Sequence, residues 1–147
     1  MNKTEAQPAV LLFEDDLDLA RQWAQALREL GVHVEHVWSV EAAEAACAET
    51  RFDVVVCDVF VQGPEGKFVP RGGYTLISYL RHPALEKTPT WGKGVPIIVV
   101  TGSPKAHGFD ALAFAKGLGA DVGLRKPLTP EALVMEVFAF LDAEPCG

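Results

Sequence analysis

Glu14 and Asp15 close a short apolar run, Asp58 closes a second, Thr101 ends a third, and Lys126 follows a fourth. In a parallel sheet, residues just past the carboxyl ends of the strands face one crevice, so three carboxylates, a hydroxyl and an ammonium would converge there. Carboxylates gathered in one cleft repel, and each pair about 4 Å apart costs on the order of 4 kcal/mol at an effective dielectric of about 20. A divalent cation removes that cost. Hard oxygen ligands select magnesium, which keeps several waters and accepts a phosphate oxygen. Zinc is disfavoured, because no histidine or cysteine pair stands at ligand spacing. A carboxylate beside magnesium, a lysine and a hydroxyl can act as a nucleophile toward phosphorus, with the metal and Lys126 neutralising the equatorial oxygens and Thr101 donating a hydrogen bond. The product would be an aspartyl phosphate.

The elements that must position these groups are legible from periodicity. Val10 to Phe13 is too short for a buried helix and suits a strand covered on both faces. Leu17, Ala20, Trp23, Ala24, Leu27 and Leu30 recur at helical spacing, and Gly31 sits where a left-handed C-cap belongs. Asp16 and Asp18 read as capping residues of that helix. Val32, Val34 and Val37 outline a weaker strand near a sheet edge, and Ser39 caps a second helix running to about Glu49. A third strand covers Asp53 to Asp58. The Gly- and Pro-rich stretch Val59 to Gly73 reads as a long loop, and such loops are usually functional or disordered. A short helix over Tyr74 to Leu80, an irregular stretch through Gly94, a strand from Pro96 to Val100 and a helix over Phe109 to Leu118 follow. Ser103-Pro104 offers an earlier helix start. Asp121 to Arg125 is a fifth strand, and Thr129-Pro130-Glu131 opens a last helix with Leu133, Val134, Val137, Phe138 and Leu141 on its apolar side. Strand and helix thus alternate five times, with the strands too far apart for hairpins. The pattern calls for an α/β fold, a parallel sheet with helices on both faces.

Composition bounds the function. The 147 residues carry 13 basic and 20 acidic side chains, a formal charge of -7, and the basic ones are scattered. Nucleic acid and anionic membrane are therefore poor partners. No apolar run approaches the roughly 18 residues of a membrane span, and the polar Met1 to Pro8 stretch is expected to be a tail rather than a signal peptide. Cys47, Cys57 and Cys146 are odd in number, as suits a reducing cytoplasm. The expected organisation is an N-terminal tail over 1–8, one domain over 9–143 and a C-terminal tail over 144–147, with no second domain. The histidines His33, His36, His82 and His107 show no catalytic spacing, and Trp23, Trp38 and Trp91 read as packing residues.

The runs VLLFEDD at 10 to 16, VVVCD at 54 to 58, PIIVVTG at 96 to 102 and LRKP at 124 to 127 resemble the receiver domain of two-component response regulators, over nearly the whole chain. That resemblance implies a flavodoxin-like, doubly wound five-stranded sheet of order 2-1-3-4-5. It implies Asp58 as phosphoacceptor and a magnesium ion on Glu14, Asp15, Asp58 and the Phe60 carbonyl. Thr101 and Lys126 would contact the phosphoryl group, and the Lys126-Pro127 bond would be cis. Phe60, Gly102 and Ser103 would modulate access of water. The implied partners are a histidine kinase or histidine phosphotransfer protein and a downstream protein reading the fourth helix and fifth strand. A lone receiver would act by phosphorelay or by docking, not as an enzyme with turnover.

Two features depart from that pattern. The segment after Asp58 is about seven residues longer than usual, and long loops tend to carry function. Gly123, three residues before Lys126, stands where many receivers carry an aromatic side chain that rotates inward on activation. The competing readings are a receiver-like interaction domain that is never phosphorylated, an aspartate-dependent phosphatase and a flavin carrier. The phosphatase wants a second aspartate where this chain has Phe60. The flavin carrier wants a hydroxyl- and glycine-rich phosphate loop where this chain has carboxylates.

Overall fold

The computed structural model describes residues 7–59, 61–62, 68–69, 72–82, 89–102 and 110–142. Its main sheet contains β1 (Ala9–Phe13), β2 (His33–Val37), β3 (Val54–Asp58), β6 (Ile97–Thr101) and β7 (Val122–Arg125), in the order β2-β1-β3-β6-β7. Every pairing among them is parallel. Counting only these strands, the order is 2-1-3-4-5, the doubly wound arrangement expected from the sequence. The reversal of winding lies between β1 and β3, which places Glu14 and Asp58 side by side at the carboxyl edge.

Side chains on the inner strands alternate between two cores. Val10, Leu12, Val54, Val56, Ile98 and Val100 pack with α1 (Leu17–Arg28) and α5 (Pro130–Leu141). Leu11, Phe13, Val55, Cys57, Ile97 and Val99 pack on the other face with α2 (Val40–Glu49), α3 (Gly72–Arg81) and α4 (Ala111–Leu118). This period of two, buried on both faces, is why these strands are almost wholly apolar. Trp23 is the largest of the fully buried side chains, and its Nε1–H donates to the Leu128 carbonyl at 3.1 Å, tying α1 to the turn before α5.

Helix ends follow local chemistry. Asp16, Ser39 and Thr129 accept hydrogen bonds from Leu19, Ala42 and Ala132 N–H groups, each at 3.1 Å, and so cap α1, α2 and α5. Helical structure in α1 stops at Arg28, two residues short of the expected Leu30. Gly31 at φ +87 is the cause: its N–H reaches Arg28 O at 3.0 Å and the Val32 N–H reaches Leu27 O at 3.2 Å, the paired bonds of a Schellman closure. Leu30 is left exposed beyond the last turn, and so is Leu17 at the first.

Other expectations need correction. The fourth helix begins at Ala111, not Phe109, because the Asp110 carboxylate accepts from Leu112 and Ala113 N–H at 3.1 and 3.3 Å and defines the start. Ser103 and Pro104 lie outside the described residues. Helix α3 extends from Gly72 to Arg81, beyond Tyr74–Leu80 at both ends, since two glycines that read as loop supply its first turn. Residues Thr90–Lys93 form a turn of 3-10 helix where irregular chain was expected. The long stretch after Asp58 contains two short strands, β4 (Val61–Gln62) and β5 (Phe68–Val69), which pair antiparallel where loop was expected. Trp38 is 58% exposed and packs in neither core. It follows the last residue of the edge strand β2.

Arg81 fastens the end of α3 to the loops around it. Its guanidinium donates to the carbonyls of Gly119, Gly92 and Lys93 and pairs with Asp121 at 2.9 Å. Burial lowers the arginine pKa and the Asp121 charge counters that shift. Gly119, at φ +124, lies so close to this side chain that a Cβ there would come within 2.7 Å of Arg81 Cγ.

Candidate functional site

The carboxyl ends of β1, β3 and β6 deliver Glu14, Asp58 and Thr101, all almost fully buried, to one crevice. Asp15 stands exposed at its rim. One carboxylate oxygen from each of Glu14, Asp15 and Asp58 falls within 4.8 Å of the others. Lys126, on the turn after β7, reaches into the same space: its Nζ donates to Glu14 Oε2 at 3.1 Å and to Asp58 Oδ2 at 3.5 Å. Burial works against the ammonium charge, but Asp58 and Glu14 outweigh it and hold the Lys126 pKa above the ordinary lysine value. The lysine therefore stays cationic throughout the neutral range.

Close backbone contacts set this geometry. The Lys126 N–H donates to the Thr101 carbonyl at 2.8 Å, prolonging the β6–β7 ladder one step past Thr101 and Arg125. The Lys126–Pro127 peptide is cis. A Cβ on Gly102 would lie 3.3 Å from Lys126 Cδ, so the bare glycine leaves room for the lysine stem beside the crevice. On the other side, a Cβ on Gly73 would collide with the Asp58 carbonyl oxygen and lie 2.6 Å from Val59 Cα. The first turn of α3 thus rests directly on the chain carrying Asp58.

The donor set suits a hard divalent cation. Glu14 Oε1 is buried and, among the described residues, has no hydrogen-bond partner, its one close charge being Lys126 Nζ at 3.1 Å. A buried carboxylate oxygen that meets a charge but no hydrogen-bond donor in good geometry keeps a lone pair for a cation. Two further carboxylates beside it, one open to solvent, provide oxygen ligands and a way in. Behind them Cys57 is inert: burial first, then Asp58 and Glu14, push its thiol well above the ordinary value.

Glu14, Asp15, Asp58 and Lys126 are brought together, and Thr101 borders them through its bond to Lys126. Phe60 and Ser103 lie outside the described residues, and Gly102 is placed beside the lysine. Sequence reasoning missed His36, whose Nε2 lies 2.7 Å from the Glu14 carbonyl oxygen. Only the register Leu12↔His36 reveals that nearness. It also missed Leu112, whose side chain on α4 packs against Gly123, 3.2 Å from where a Cβ would stand.

The family model described as response regulator receiver domain matches residues 10–138. Solved structures agree. A protein from Chloroflexus aurantiacus J-10-fl assigned as a response regulator is 26% identical with a TM-score of 0.72, over 93% of this chain and 99% of its own. A CheY-like response regulator receiver domain protein from Methanospirillum hungatei JF-1 is 21% identical with a TM-score of 0.72, over 93% and 95%. The chemotaxis response regulator CheY4 of Vibrio cholerae is 22% identical with a TM-score of 0.69, over 92% and 99%. These last two likenesses bear on fold alone. No curated protein sequence matches the chain.

Proposed function

Because the chain belongs to the response regulator receiver domain family, we propose that it accepts a phosphoryl group on Asp58 from a histidine kinase or a histidine phosphotransfer protein. The observation that carries this reading is the convergence of Glu14, Asp15, Asp58 and Lys126 on one crevice. Glu14, Asp15 and Asp58, with the Phe60 carbonyl, would hold magnesium, which when bound neutralises the carboxylates and the equatorial oxygens of the phosphoryl group. An Asp58 carboxylate oxygen attacks phosphorus, the phosphorus–nitrogen bond to the donor histidine breaks, and the imidazole leaves with the electron pair. Lys126 supplies a fixed positive charge next to the new phosphate, and the Thr101 hydroxyl donates to one of its oxygens.

The phosphate adds a charge of about -1.5 to -2. Lys126 and Thr101, joined through the backbone, would respond together and pass the change to β7 and α4. Gly123 carries no side chain to rotate, so the shift runs through Leu112 on α4 instead. The downstream partner is a protein that reads this region, and the protein acts in the cytoplasm by docking or phosphorelay rather than by turnover. Cys47 and Cys57, both buried and free, fit such a reducing compartment.

Mass spectrometry after incubation with acetyl phosphate and Mg2+ tests the reading. The wild type should gain the mass of one phosphoryl group and Asp58→Ala should gain none. No gain in the wild type would leave a receiver fold that works through binding alone, and an equal gain in the variant would put the phosphoryl group on another residue; either result overturns the reading.

A further inference from the structure

Glu14 is held by the edge strand at both ends of its backbone. Its N–H donates to the Val37 carbonyl at 3.1 Å, one step beyond the last paired residues Phe13 and Val37. Its own carbonyl lies 2.7 Å from His36 Nε2. A carbonyl oxygen can only accept, so His36 carries its proton on Nε2 and donates. A side chain here takes on the role that a backbone N–H plays further down the ladder. Trp38, just past the strand, lies with its ring centroid 5.2 Å from that of His36 at a 48° tilt. Trp38 is itself 58% exposed, so the tilted rings touch without enclosing the bond, which is part-buried.

We infer that His36 is a positioning residue for the divalent-cation site, anchoring the Glu14–Asp15 turn from β2. The inference rests on the reading of Glu14 and Asp15 as cation ligands. Glu14 bends back over its own turn, since its Oε2 also accepts from the Asp16 N–H at 3.1 Å. Fixing the main chain between the two ligands therefore fixes where both carboxylates point. Partners that orient ligands in this way affect metal affinity without touching the metal.

Calorimetric titration of Mg2+ into the full chain tests this with His36→Leu, which removes the donor, and His36→Gln, which keeps a side-chain N–H. His36→Leu should bind Mg2+ about 10-fold more weakly than the wild type, the low end of the effect for such partners, and His36→Gln should recover most of the loss. Urea unfolding without Mg2+ separates a purely structural role: lowered stability with unchanged Mg2+ affinity overturns the inference. Should His36→Leu not fold, the wild type carries the test through its ring nitrogen spectrum. The His36 signals should show a proton on Nε2 and shift on Mg2+ saturation, and an unresponsive ring overturns the inference. A wild type that binds no Mg2+ overturns the cation reading and this inference together, whereas equal binding by wild type and both variants overturns this inference alone.

Discussion

Lys126 Nζ stands 3.1 Å from Glu14 Oε2, pairing a half-buried ammonium with a carboxylate that is only 1% exposed. The lysine thereby provides the positive charge that the acidic crevice needs when no cation is bound. Removing one partner of a fully buried pair costs roughly 3–5 kcal/mol, and the partial exposure of Lys126 places the expected loss nearer 2 kcal/mol. Lys126→Met should show that loss in urea unfolding without Mg2+, and saturating Mg2+ should restore most of it. Equal losses in both conditions would mean that the lysine stem contributes by packing and not by charge.

Gly73 is where α3 meets the chain carrying Asp58. A methyl group there would overlap the Asp58 carbonyl oxygen, and backbone on both sides leaves no flexible atom to yield. Gly73→Ala should cost about 1–3 kcal/mol, as overpacking does, and should slow phosphorylation by acetyl phosphate because Asp58 is displaced. Gly94→Ala, with nothing within 4 Å of the new Cβ, is the matched control and should leave phosphorylation unchanged.

Leu112 occupies space beside Gly123 that an aromatic side chain would otherwise enter. Gly123→Tyr alone should lose about 1–3 kcal/mol through overpacking. Combined with Leu112→Ala, it should lose less than the sum of the single changes, since the two positions share one space. Thermal unfolding of the four proteins in the cycle measures this, and strict additivity would show that the sites do not compete.

Alkaline unfolding has a defined sign. Tyr74 is pushed up to about 12, first by burial and then by Asp110, while its hydroxyl donates to Ala111 O at 3.3 Å. Lys126 is raised as well. A group whose folded pKa exceeds its unfolded value contributes fully below the unfolded pKa and loses that contribution as pH rises through the folded one. Stability should therefore fall from about pH 10 upward, where unfolded tyrosine and lysine begin to release protons. Tyr74→Phe should flatten this decline in urea titrations run at successive pH values, and an unchanged slope would exclude Tyr74 as a source.

The main sheet was legible in the sequence because parallel strands buried on both faces leave unbroken apolar runs. Val10–Phe13, Val54–Cys57 and Ile97–Val100 each show one, and acidic or hydroxyl residues end each run at the crevice. Glu14, Asp15, Asp58, Thr101 and Lys126 could be placed there because strand ends determine which edge of the sheet a residue reaches. Helix ends were less clear. Leu30 continues the apolar spacing of α1 but lies beyond Arg28, because the turn leading to Gly31 has already ended the helix. Two glycines that suggest a loop start α3 because Asp58 and Val59 leave no room for a side chain at Gly73.

Residue order along the chain determined the doubly wound alternation and which residues end the strands at the carboxyl edge, since strand ends and helix caps are local properties. Only the tertiary structure decided how those groups engage. It put Lys126 between Glu14 and Asp58, seated Leu112 against Gly123, and set His36 against the Glu14 carbonyl from a neighbouring strand. Each of these contacts joins residues far apart in sequence through strand register or helix packing, which no local run of residues encodes.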